Sequence, residues 1–196
     1  SNREEKVEDL ISNNTKSRSV IGEMEILTSK PLAERVVKSL NLQYTYSAIG
    51  KIKNENIYKK APFSINSLVL NDSVSSFLIS IQFIDKNSFS VNNEGSYRFG
   101  EVFKTEAGQF QISKVSNPTS GLKCVINYSS LSNSATTLLN NLTVMPKGDT
   151  KSGIIEINYL SNNAILAADV VTVLIEEYNK MSFENSNQSM NQTLDF

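Results

Sequence analysis

The chain has 196 residues, 39% hydrophobic and 20% charged, with 19 basic against 20 acidic side chains and a formal net charge of -1. That length suffices for one domain or two small ones around a real hydrophobic core, and the even charge balance excludes the basic face that nucleic acid or an anionic membrane surface demands. With a single cysteine, Cys124, and no histidine, an internal disulfide, Cys–His catalysis and Ser–His–Asp catalysis are excluded, and a zinc site loses its usual ligands.

Residues 1–18 are polar and charged, with no clear period beyond Val7, Leu10 and Ile11, and read as a frayed helix or a tether. A helix is predicted from about Val20 to Leu40, broken near Ser29-Lys30-Pro31, because proline lacks a backbone donor and suits a helix's first turn. Ser29 then stands at the N-cap. Leu32, Val36, Val37 and Leu40 make one apolar stripe, Glu34 and Lys38 sit four apart in the favourable order, and Asn41 is the C-cap.

From Leu42 to about Val115 the period changes to two. Strands are predicted over Gln43–Ile49, Phe63–Leu70, Ser76–Ile84, Ser88–Val91, Gly95–Phe99 and Gly108–Ser113, rich in Val, Ile, Phe and Tyr and separated by Asn-, Asp- and Ser-bearing turns. The run Phe77–Ile84 is the most apolar and is expected in the centre of a sheet. Glu94-Gly95 is expected as a hairpin turn, with the Tyr97 segment pairing the Gly108 segment, in a small antiparallel sheet or sandwich.

Asn117-Pro118-Thr-Ser-Gly121 breaks the pattern. After it come a strand over Lys123–Tyr128, a short helix over Ser132–Leu142 with Ala135, Leu138, Leu139 and Leu142 inward, a strand over Thr143–Met145, a turn at Pro146-Lys-Gly-Asp149 and a strand over Gly153–Tyr159. Ser161-Asn162-Asn163 cap a long helix from Ala164 to about Phe183, continuing toward Met190 and Leu194. No run approaches the roughly 20 apolar residues of a membrane-spanning helix. The polar opening and the halt in mid-pattern at Leu194-Asp-Phe196 predict a soluble piece of a longer protein. This order of elements is α+β: a small sheet packed by an N-terminal helix and a long C-terminal helix. Residues 19–42 and 118–196 are expected as a base domain and 43–117 as a β-rich insertion.

Little in the chain suggests chemistry. No phosphate-cradling glycine loop occurs. Glu23 and Glu25 lie two apart and face different ways on a helix, and Glu176-Glu177 followed by Lys180 reads as a solvated face. Cys124, beside Val125 and Ile126, reads as a buried thiol. The aromatics from Tyr44 to Phe110 read first as sheet core and second as a sugar-stacking face. The N-x-S/T sequons at Asn13, Asn71, Asn127, Asn141, Asn187 and Asn191 are what chance gives in a chain rich in Asn and Ser.

The segment Glu23-Met-Glu-Ile-Leu-Thr-Ser-Lys-Pro-Leu-Ala-Glu-Arg-Val-Val-Lys-Ser-Leu-Asn-Leu42, followed by Gln43-Tyr-Thr-Tyr46 and Ala61-Pro-Phe63, resembles the stretch after the first membrane helix of chain-length determinant proteins, the Wzz family of polysaccharide co-polymerases. The likeness is closest to the tyrosine autokinase branch of exopolysaccharide biosynthesis proteins in Bacteroidetes. Gly153-Ile-Ile-Glu-Ile-Asn-Tyr159 and the run from Ala167 to Lys180 look like that family's strand and long helix. The resemblance implies a non-catalytic domain on the periplasmic face of the bacterial inner membrane, anchored by flanking helices outside this chain. It further implies assembly with copies of itself, contact with polysaccharide polymerase or export proteins, and control of the length or export of a surface polysaccharide. It implies no catalytic, cofactor-binding or metal-ligating residue here, and leaves the interface residues open. Two other classes remain: a carbohydrate-binding β module that stacks sugars on a residue such as Tyr44 or Tyr97, and an enzyme restricted to carboxylate chemistry.

Overall fold

The computed structural model describes residues 19–148 and 153–194, the side chains of 186–194 excepted. The expected tether at 1–18 and the far side of the turn at Asp149 lie outside the described residues. The fold is α+β, and its described residues divide into two compact units: 41–134, and the residues up to Leu40 together with those from Ala135 on.

The first unit is an antiparallel β-sandwich. Its larger sheet has the order β2-β1-β9-β4-β5-β6, from β1 (Tyr44–Ala48), β2 (Glu55–Asn56), β4 (Ser76–Phe83), β5 (Ser88–Val91), β6 (Glu94–Arg98) and β9 (Lys123–Ser129). The smaller has the order β3-β8-β7, from β3 (Phe63–Leu70), β7 (Val102–Thr105) and β8 (Gly108–Lys114). Strict alternation drives it: Ile79, Ile81 and Phe83 on β4, Cys124 and Ile126 on β9, and Phe110 and Ile112 on β8 are all buried, with more exposed residues between them. Rings interlock across the layers, Phe63 on Phe83 at 5.5 Å, Phe77 on Phe110 at 5.1 Å and Phe89 on Phe103 at 6.3 Å between centroids. At the β1 edge, the Tyr44 hydroxyl bonds the Ser67 hydroxyl and the Tyr46 hydroxyl accepts from the Ile65 N–H at 3.5 Å, tying one sheet to the other.

The run around Phe77–Ile84 is central, between β9 and β5. Three sequence expectations change. The β5–β6 turn falls at Asn92-Asn93, both at positive φ (52° and 64°), rather than at Glu94-Gly95; asparagine tolerates that conformation better than most residues. The strand carrying Tyr97 pairs with β5, while the partners of β8 are β3 and β7, a strand the sequence reading missed. Residues 118–134, expected with the base, fold into the sandwich because β9 lies between β1 and β4.

The second unit holds α1 (19–27), α2 (Lys30–Ser39), the end of α3 (Leu131–Asn140), the hairpin β10 (Leu142–Pro146) with β11 (Ile155–Tyr159), and α4 (Ala164–Leu194). The expected break falls at Ser29, which is extended at the N-cap position; its side chain makes no capping bond, and the Ala33 N–H bonds its carbonyl instead. Leu40 is the C-cap and Asn41, at φ 52°, is the residue beyond it. Leu32, Ala33, Val36 and Val37 on α2 and Leu166, Val170 and Leu174 on α4 are buried, and the two helices pack together. Asn163 caps α4 by accepting from the Leu166 N–H at 3.0 Å. Among the described residues, no helix is long and apolar enough to cross a membrane.

Candidate functional site

Polar side chains gather on ordered supports in several places among the described residues, two of them candidates for a functional site. The first is the seam where α2 and α4 meet within the helical unit. Arg35 forks onto Glu184, Nη1 to Oε1 at 3.1 Å and Nη2 to Oε2 at 2.6 Å. One turn on along α2, the Ser39 hydroxyl donates to Glu177 Oε1 at 3.0 Å, and Lys180 donates to the same oxygen at 2.7 Å. As the α2 number rises from 35 to 39, its α4 partner falls from 184 to 177, so the helices run antiparallel. Tyr178 donates its hydroxyl to Glu23 on α1. Glu177 is thus not a solvated carboxylate: it is 7% exposed, and the Lys180 ammonium, then the Ser39 hydroxyl, hold its carboxyl below the ordinary range. A depressed carboxyl that already accepts two bonds is a poor proton donor or base near neutral pH, and its position suits helix registry.

The outer side of α4 differs. Ile165, Ala168, Thr172 and Ile175 are exposed and follow one another at helical spacing, with Phe183 two turns on and 67% exposed. The Thr172 hydroxyl is satisfied by the Ala168 carbonyl at 2.9 Å. The helix therefore carries apolar side chains on opposite sides, one buried and the other exposed among the described residues.

The second place is a cleft of about 380 Å³ at one end of the sandwich. Its floor is Phe77, Val91 and Ala107; its wall is the half-buried Tyr97 ring; its rim carries Asn92, Glu94, Lys104, Thr105 and Glu106. The β5–β6 hairpin forms one lip and the β7–β8 hairpin the other. Tyr97 is set by rings on its inner side, Phe89 at 6.1 Å and Phe103 at 5.6 Å. Gly95, at φ 63°, leaves the space the ring fills: a Cβ there would fall 2.9 Å from Tyr97 Cε2.

Of the residues singled out from sequence, Phe63, Phe83, Phe89, Phe103 and Phe110 are core, and Tyr97 lines the cleft while Tyr44 bridges the sheets. Cys124 is buried, and burial pushes its thiol up to about 11. Among the described residues, no three His, Cys, Asp or Glu side chains converge in a way that would hold a metal ion. The cleft escaped sequence reasoning because its lining comes from three separated stretches, 77–78, 91–97 and 104–107.

No protein-family model matches this sequence, nor does any curated protein. Among solved structures, two crystal structures of FlgL from Xanthomonas campestris match at TM-scores of 0.26 and 0.25 and sequence identities of 16% and 15%, over 77% of this chain in each case. The match spans about half of the FlgL chains, 51% and 53%. A likeness so slight lends no argument about fold or role.

Proposed function

We propose that this chain is a non-catalytic assembly domain of a bacterial polysaccharide co-polymerase, held at the periplasmic face of the inner membrane by helices outside it. There it associates with copies of itself and regulates the length or export of a surface polysaccharide. One observation carries the reading. The two segments that resemble the chain-length determinant family, 23–42 and 153–180, are far apart in sequence yet, save residues 41–42, belong to one unit, bonded across 138 positions by Ser39 and Glu177. Between them the chain also forms a sandwich, 41–134, with a core of its own.

Self-association is supported by α4. A helix apolar on both sides normally serves two neighbours, and a chain of net charge -1 sets up little repulsion between copies. The test uses the full-length parent. Replacing Ile165, Ile175 and Phe183 together by serine should lower its oligomer mass in detergent, measured by light scattering, and should change the modal length of the polymer made in cells. A parent that is monomeric, or whose polymer is unaltered when this whole domain is deleted, would refute the reading.

A further inference from the structure

We propose that the cleft between the β5–β6 and β7–β8 hairpins binds a neutral sugar ring of a glycan. A pyranose presents an apolar patch of C–H groups on its faces and hydroxyls around its edge. A site for it needs an aromatic or aliphatic surface beside carboxylates and amides that accept from neighbouring hydroxyls. The cleft has both, with Tyr97, Phe77 and Val91 on the apolar side and Asn92, Glu94, Thr105 and Glu106 on the rim. Its volume of about 380 Å³ lies at the small end of ligand cavities, roughly 300–1,000 Å³, which suits one or two sugar rings.

Charge narrows the class. The rim carries two carboxylates, Glu94 and Glu106, against one ammonium, Lys104, so a phosphorylated ligand or a uronate meets net repulsion while an uncharged hexose does not.

The lips are pinned before any ligand arrives. The Asn92 side chain accepts from the Ser80 N–H at 2.9 Å, and the Asn92 N–H donates back to the Ser80 carbonyl at 2.8 Å. On the other lip, Asn71 Nδ2 donates to the Glu106 carbonyl at 2.6 Å and the Asn71 N–H to the Ala107 carbonyl at 3.0 Å. Gly108, at φ 149°, lets this turn lie against Val69, where a Cβ would collide with the carbonyl. A cleft held this way loses little freedom on binding.

The experiment is ligand-observed saturation-transfer NMR on this chain with glucose, galactose, mannose, N-acetylglucosamine and glucuronate as separate probes. At least one neutral sugar should receive saturation, with glucuronate weaker. Tyr97→Ala should weaken binding about tenfold through loss of the ring. The double variant Glu94→Gln, Glu106→Gln, at two exposed positions, should weaken it several-fold while leaving the circular dichroism spectrum unchanged. If Tyr97→Ala fails to fold, the rim variant decides alone. Silence from every neutral sugar, or transfer undiminished in the rim variant, overturns the assignment. Sugar binding is measured on this chain and assembly on the parent, so the two readings fail separately.

Discussion

Phe110 tests the sandwich at a buried ring that joins its two sheets. It is fully buried on β8, with ring neighbours Phe77 at 5.1 Å on the facing sheet and Phe103 at 5.9 Å on the adjacent strand. Phe110→Ala removes its apolar contacts and leaves a cavity walled by rings whose own neighbours fix them in place. Large-to-small aromatic changes of this kind cost about 3–5 kcal/mol, and each lost ring pair adds about 0.5–1.5 kcal/mol beyond area alone, so the upper half of the range is expected. A unit of this size moves its midpoint by about 4–8 °C per kcal/mol. The variant should therefore melt roughly 16–40 °C lower, against a total stability of about 5–15 kcal/mol. Phe110→Leu, which keeps most of the apolar contact, should lose about 1–2 kcal/mol. Urea unfolding followed by the β-sheet circular dichroism signal gives both values. A loss below about 1.5 kcal/mol for the alanine variant, with the slope unchanged, would mean that the two sheets are not locked through this ring.

Glu177 gives a pH signature. Its folded-state carboxyl lies below the ordinary value of 4.5, chiefly through Lys180 and then Ser39. Its contribution is therefore complete above the unfolded-state value and is lost as pH falls through the depressed one. Glu177→Gln should flatten the acid limb of the helical unit's stability curve; a limb identical to wild type would remove Glu177 from the seam. Cys124, buried with its thiol near 11, should resist a thiol-specific reagent at pH 8 in the folded protein and react at the rate of a free peptide thiol in denaturant. Rapid labelling of the native protein would contradict its burial.

Much of the secondary structure was legible because period and punctuation agree. Phe110 and Ile112 alternate with polar neighbours on β8, and Pro31 fixes where the first helix breaks. Pairing was not legible, because alternation says which face a residue takes and not which strand lies beside it. The Tyr97 strand and β8 both read as half-buried strands, yet they lie in different sheets. The Asn92-Asn93 turn was hidden by Gly95, a stronger turn signal that is used here to make room for a ring. Glu177 looked solvated because its helical neighbours, Glu176 and Lys180, are charged; what buries it is α2, whose Ser39 lies 138 positions away.

The bond pattern where the sandwich begins and ends bears on how one chain carries two compact units. Its first long strand, β1, and its last, β9, are adjacent and antiparallel, with Tyr44 opposite Tyr128. Just beyond the pair, the Ser129 N–H donates to the Gln43 carbonyl at 2.9 Å. Chain therefore enters and leaves the sandwich at neighbouring points. A module whose ends meet can sit within another fold at little cost in loop closure. This fits a helical unit made by two stretches far apart in sequence, with the sandwich inserted between them and keeping its own core and its own cleft. It also weakens the idea that the aromatic block as a whole is a sugar-stacking face. Five of its phenylalanines are committed to the core, and the proposed glycan contact narrows to Tyr97 and the rim around it.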